Sequence, residues 1–147
     1  MGIEARLTEA DIACWVVKSQ KAPTTVAPGW RPGSVQQLTR CLRRSYRLEL
    51  MRPGQRCLFW LSGRDQPGIH AIGTLAGWPP TSEAEVAVSL QRLHSPVRRA
   101  DLVADHVFSR AEVIRMPAGS NPSYLSPDQL DRLRDYIEPE DWSSAGW

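Results

Sequence analysis

Six tryptophans stand in this 147-residue chain, against two phenylalanines and three tyrosines. Their surroundings decide what chemistry each could do. Trp30 and Trp78 lie in Pro- and Gly-rich stretches, Pro28-Gly29-Trp30-Arg31-Pro32-Gly33 and Gly77-Trp78-Pro79-Pro80. A loop indole has less reason to be buried than a strand indole, and an open one stacks on flat or cationic ligands. A nucleic-acid base is such a ligand, and stacking one contributes about 1–3 kcal/mol. Two readings stay open for each: a plug at the end of a sheet, or one wall of a stacking site. Trp15, inside the apolar run Ala13-Cys14-Trp15-Val16-Val17, reads as core, and Trp60 lies in a strand beside a hairpin loop.

The basic residues are the second signal. Residues 1–64 hold 11 Lys and Arg against 4 Asp and Glu, while residues 65–147 hold 7 against 12, so a net +2 conceals a basic half. Such asymmetry hints at a polyanion partner. Arg40, Arg43, Arg44 and Arg47 recur at helical spacing. They read either as a solvated face or as a phosphate-contacting stripe, with Arg31 as a further backbone contact.

Catalytic patterns do not accompany them. The chain has no phosphate-binding GxxxxGK[ST] loop, no GxGxxG, no GxSxG and no HExxH. His70, His94 and His106 have no ligand spacing, and Cys14, Cys41 and Cys57 form no CxxC pair. We expect no enzyme activity, no metal and no cofactor, and three reduced core thiols. No apolar run approaches the roughly 20 residues of a membrane span. The N-terminal stretch has no signal-peptide core, so a cytoplasmic protein without membrane contact is expected.

The elements that must position these residues follow from periodicity. Residues 13–17 predict a central strand. Ser34, with Gln37 at capping-box spacing, predicts a helix over 34–48, packed by Val35, Leu38, Leu42 and Tyr46. Residues 56–62 and 69–75 predict a hairpin, with Gly73 at a bulge or close backbone approach. Residues 85–93 alternate as a half-buried strand. Ser95-Pro96 opens a helical turn through Leu102, and 112–116 reads as a short edge strand. Ser126-Pro127 caps a last helix striped by Leu130, Leu133 and Ile137. The order predicts an α+β domain with a strongly curved, barrel-like sheet flanked by short helices. A lead-in covers 1–10, the domain 11–138, and a tail 139–147.

Several of these pieces resemble EVE domains of the PUA-like superfamily, in the family's order. Trp15-Val16-Val17-Lys18-Ser19 resembles the opening W-x-x-K-S strand, and Trp30 the next family tryptophan. Leu58-Phe59-Trp60-Leu61-Ser62, then Pro67-Gly68-Ile69 and Gly73, resemble the family hairpin. Glu85-Val86-Ala87-Val88 resembles a later strand, and Ser123 through Leu130 the closing helix start. The likeness runs from about Ala13 to Ile137. Ser19-Gln20 lacks the acidic residue common after K-S, and Trp30-Arg31-Pro32-Gly33 replaces the usual W-D-G-V-R-N.

The resemblance implies a PUA-like mixed sheet around a small pocket, similar to YTH domains. It also implies a non-enzymatic module that flips a modified base into an aromatic cage, 5-methylcytosine or a related modified cytosine in DNA, often in bacterial defence. By position, Trp30 and Trp78 would wall an aromatic cage with Trp60 beside them. Lys18, Ser19 and Gln20 would form the pocket floor and Asn121 its rim. A reader of modified or structured RNA, or a small-molecule-binding or enzymatic domain using the same pocket, remains the alternative.

Overall fold

A computed structural model describes residues 6–78 and 84–147. Six strands, β1 (Cys14–Ser19), β2 (Val35–Cys41), β3 (Arg56–Leu61), β4 (Gly68–Leu75), β5 (Glu85–Arg98) and β6 (Ser123–Leu125), form one mixed sheet. Their order across the sheet is β2-β5-β4-β3-β1-β6. Only β1 and β3 run parallel; the other pairs are antiparallel. Five short helices accompany it: α1 (Pro23–Val26), α2 (Arg99–Val103), α3 (Glu112–Arg115), α4 (Pro127–Arg132) and α5 (Pro139–Ser144). This is the expected α+β architecture.

Alternation along the strands builds two cores, because successive side chains leave a strand on opposite faces. Cys14, Val16, Leu58 and Trp60 face one side, where helices α2 to α5 supply Leu102, Val113, Leu130 and Trp142. Trp15, Val17, Cys57, Phe59 and Leu61 face the other, inside the curl, with Trp30, Val86, Val88 and Leu90. Every one of these residues is less than a tenth exposed. The predicted strand at Trp15 and the hairpin at 56–75 form as read.

The curl then closes on itself. Beyond the ends of β2 and before β6, the backbone N–H of Arg43 donates to Asn121 O at 2.7 Å. Asn121 Nδ2 donates to Cys41 O at 3.3 Å, and Asn121 Oδ1 accepts from the N–H of Lys18 at 3.1 Å. A single side-chain amide thus stitches β1, β2 and the segment before β6 into one seam.

Several expectations need correction. The helix over 34–48 is instead strand β2, a connector, and one turn at Tyr46–Leu50. Gln36, Leu38 and Arg40 turn inward in alternation, while Val35 is 54% exposed, and all seven residues of β2 pair with β5. Ser34 does not cap a helix; its hydroxyl donates to Arg31 O and accepts from Arg31 N. The helical spacing of four apolar residues was outweighed by a seven-rung ladder, the usual victory of pairing over local propensity.

The segment read as an edge strand, 112–116, is α3, a single turn burying Val113. Short apolar runs do not distinguish the two states. The turn begun at Ser95-Pro96 is still strand: β5 runs to Arg98 across a register shift between its pairings with Ile69 and Ala71. Pro96 falls in the unpaired bulge, where its missing N–H costs nothing. Cys41 is exposed, whereas Cys14 and Cys57 are buried as expected, and burial raises both of their thiol pKa values. The tail does not stand apart: Trp142 and Trp147 are each 8% exposed and pack edge to face at 5.4 Å against the first core. Ser126 caps α4 in a capping box with Gln129, as the sequence predicts.

Asp105 ties the helical layer together. Its carboxylate accepts from Arg132 Nε and Nη2 at 3.0 and 2.8 Å, Tyr136 Oη at 2.7 Å, and the N–H groups of Val107 and Phe108. Hydrogen bonds from Arg132, then from the backbone, hold this carboxyl well below the usual carboxylate range. A depressed folded-state pKa means stability is present above the unfolded value, about 3.9. It is lost as pH falls from there towards the folded value. In acid-titrated urea unfolding, Asp105→Asn should therefore show a shallower loss of stability below pH 4 than the parent. Parallel curves would remove Asp105 from the acid response.

Candidate nucleic-acid interface

β1 and β3 run parallel and end side by side, with Ser62 N–H donating to Ser19 O at 2.8 Å. Where they end, the seam leaves an open cleft of about 470 Å³. Lys18, Ser19 and Gln20 line it from β1 and the turn after it, Ser62 from the end of β3, Arg43 from beyond β2, and Pro117, Ala118, Gly119 and Asn121 form the wall contributed by the segment before β6. The cleft brings together four of the seven residues expected to bind the base, Lys18, Ser19, Gln20 and Asn121, and one of the five expected at the phosphate backbone, Arg43.

Among the described residues the lining has a definite chemistry: two cations, hydroxyls and amides, with no carboxylate and no aromatic ring. Lys18 Nζ donates to Pro117 O at 3.1 Å and ties β1 to the wall before β6. Burial, chiefly, and the nearby Arg43 and Arg47 charges lower the Lys18 pKa, against the pull of Glu112. Ser19 Oγ donates to Lys21 O at 2.8 Å and shapes the turn after β1. Such a site suits a polar or anionic group with several acceptors.

The tryptophans do not gather there. Trp30 is 1% exposed inside the curl; its Nε1 donates to Ser34 O at 2.9 Å and its ring meets Phe59 edge-on at 6.2 Å. Trp60 is 3% exposed in the opposite core. The cage wall assigned to Trp30 and the flank assigned to Trp60 are thus corrected to core plugs, because each ring is enclosed by its own sheet face. Trp78 is 63% exposed, with the Arg52 guanidinium 5.8 Å from its ring. Pro79 and Pro80, which follow it, lie outside the described residues.

The arginine stripe also dissolves, since no helix carries it. Arg31 and Arg44 are exposed, and Arg43 faces the cleft. Arg40 turns inward with its guanidinium 5.7 Å from the Phe59 ring. Arg47 lies in a bidentate pair with Glu112, the two side chains 11% and 12% exposed.

One grouping escaped the sequence reading. His94, Glu138 and Asp141 bring one donor atom each within 4.8 Å of one another. Buried Asp141 already accepts from His94 N–H at 3.0 Å and Gln91 Nε2 at 3.2 Å, and lies 2.7 Å from His94 Nδ1. The hydrogen bond to Asp141 raises the His94 pKa, so the group works as a clamp between β5 and α5. Spacings of 44 and 3 residues gave no sign of it. Among the described residues, no helix is long and apolar enough to cross a membrane.

Solved structures share this curled six-stranded mixed sheet with helices α2 to α5 on one face. Human THYN1, solved in complex with DNA containing 5-methylcytosine, matches with TM-score 0.51 and 16% identity over 86% of this chain and 99% of that one. A Pseudomonas putida protein matches with TM-score 0.62 and 16% identity, over 84% and 99% of the two chains. A hypothetical protein from Leishmania major matches with TM-score 0.59 and 14% identity, over 87% and 96%. At the level of sequence, no family profile and no curated protein matches this chain.

Proposed function

We propose that this chain is a nucleic-acid-binding module that receives a modified base of DNA, of the 5-methylcytosine class, in the seam cleft, and acts as a reader and not a catalyst. The observation that carries the proposal is the composition of the cleft among the described residues: Lys18 and Arg43 with hydroxyls and amides, and no carboxylate in the lining. A polyanion meets two cations there. The shared fold with a protein solved on 5-methylcytosine DNA supports the choice of ligand.

A base inside a duplex presents only its groove edges, so entry to the cleft requires flipping, at a cost of a few kcal/mol. Backbone contacts offset part of that cost. Within the cleft, Lys18, Gln20 and Asn121 offer hydrogen bonds to the edge of a flipped base, whereas exposed Trp78 lies outside its lining.

The test is a binding panel. One oligonucleotide sequence is offered as DNA and RNA, single- and double-stranded, with and without 5-methylcytosine, 5-hydroxymethylcytosine and N6-methyladenine. The parent should prefer a modified-cytosine DNA. Arg43→Ala should weaken modified and unmodified DNA alike and reduce the salt slope by roughly one unit. Preference for RNA would move the ligand class. An Arg43→Ala protein that binds as the parent does would remove the cleft from the interface.

A further inference from the structure

Arg47 stands behind the cleft, not at its mouth. Its guanidinium forks onto Glu112, Nη1 to Oε1 at 2.8 Å and Nη2 to Oε2 at 2.7 Å. The same Nη1 donates to Pro122 O at 3.0 Å, and Glu112 Oε1 also accepts from Ser123 Oγ at 2.7 Å. One guanidinium and one carboxylate therefore join the turn at Tyr46–Leu50 to α3 and the start of β6, 65 residues or more further along the chain. Pro122 directly follows Asn121, whose amide stitches the seam and which belongs to the wall before β6.

We propose that Arg47 and Glu112 form a positioning pair that fixes the Pro117–Asn121 wall, so that Arg47 sets which base the cleft accepts and contributes no charge to the phosphate contacts. The selectivity half of this rests on the nucleic-acid reading of the cleft. Three physical points support the pair. Three of the five guanidinium N–H donors are already committed, so little of the group remains to greet a phosphate. A two-pronged Arg–carboxylate contact fixes direction as well as distance, which a lysine ammonium cannot do. Burial works against the Glu112 charge, yet the bonds from Arg47 and Ser123 more than offset it and keep the carboxyl below its ordinary pKa. The strut is therefore ionised at neutral pH.

The two explanations of Arg47 give opposite signs for one variant. If Arg47 met phosphate, Glu112→Gln would release the guanidinium and tighten DNA binding. If the pair is a strut, Glu112→Gln and Arg47→Ala both loosen the wall. The measurement uses matched DNA with cytosine or 5-methylcytosine, titrated at several salt concentrations. The variants are Arg47→Ala, Arg47→Lys, Glu112→Gln, and the Arg47→Ala/Glu112→Gln double. Amide hydrogen exchange over residues 117–123 is recorded without ligand.

Each single variant should lose discrimination for the modified base on the order of tenfold, the scale of coupling within one hydrogen-bonded network. The salt slope should stay at the parent value, and the double variant should be no worse than the singles. Exchange over 117–123 should quicken while β3 and β4 stay protected. Arg47→Lys keeps the charge and should fail to restore discrimination. If Arg47→Ala does not fold, Arg47→Lys and Glu112→Gln carry the comparison. The proposal is overturned if Arg47→Ala lowers the salt slope by about one unit and weakens both DNAs equally, or if Glu112→Gln tightens binding. A parent that binds no oligonucleotide overturns the reading of the cleft and the selectivity half with it. The exchange data then decide the strut alone: unchanged protection over 117–123 removes it, and quickened exchange supports it.

Discussion

Trp30→Ala should lower the free energy of unfolding by about 3–5 kcal/mol, as large-to-small changes at fully enclosed aromatic positions do. Trp30 is 1% exposed and packs edge-on against Phe59, which itself has no exposure. Truncation would leave a void inside the curl, and the surrounding strands cannot collapse into it without breaking their ladders. The Ser34 carbonyl would also lose its indole donor, so the 31–34 turn would lose an anchor. Trp15→Ala should cost as much, because Trp15 is wholly buried and its Nε1 donates to Gln55 Oε1 at 2.7 Å. Trp78→Ala, at a position 63% exposed, should stay within about 0.5 kcal/mol of the parent. Urea unfolding of the three variants makes the comparison. A Trp30→Ala protein as stable as Trp78→Ala would mean the indole is not seated in the core.

Gly73→Val should cost about 3 kcal/mol or leave no folded protein, the upper end of the range for overpacked interiors. A Cβ placed on Gly73 would stand 1.8 Å from Ser89 O, 2.8 Å from Ser89 C and 3.0 Å from Leu90 Cα. All three are backbone atoms of β5, so no side chain can swing aside. Relief would require β4 and β5 to part at the centre of the sheet. The Gly73 carbonyl also accepts from Trp147 Nε1 at 2.9 Å, so movement there would disturb the packing of the last residues. Yield of folded protein and its unfolding midpoint measure the effect. A Gly73→Val protein with the parent's midpoint would contradict the close approach of the two strands.

The parts legible in the sequence were those specified locally or by strong patterning. The Trp15 strand, the 56–75 hairpin, the approach at Gly73 and the Ser126 cap each rest on a few neighbouring residues. Lys18, Ser19, Gln20 and Asn121 were named through the family likeness, and they do meet. No periodicity could have joined position 18 to position 121. The β2 segment was misread because Val35, Leu38 and Leu42 fall at helical spacing, while the inward polar residues Gln36 and Arg40 hide the strand alternation. Closure of the sheet then decided the arginines. Arg43 lands at the seam and Arg47 beneath it, a difference set by contacts with Asn121 and Glu112 that lie some 65 to 80 residues away. Loop tryptophans were ambiguous for a similar reason: Pro and Gly around Trp30 mark a turn, but not which way its indole points.

The seam has a kinetic consequence. Its defining bonds span sequence separations of 80, 99 and 103 residues, from Cys41 to Asn121 and from Lys18 to Pro117 and Asn121. Contacts of that reach form only after much loop-closure entropy has been spent. No partly folded chain that lacks either its first strand or its last can hold the cleft. Whatever binds there recognises the finished molecule alone, and by mass action it draws the folding equilibrium of the whole chain towards completion. In a growing polypeptide the cleft would therefore arrive late, formed in one step when the segment carrying Asn121 comes home.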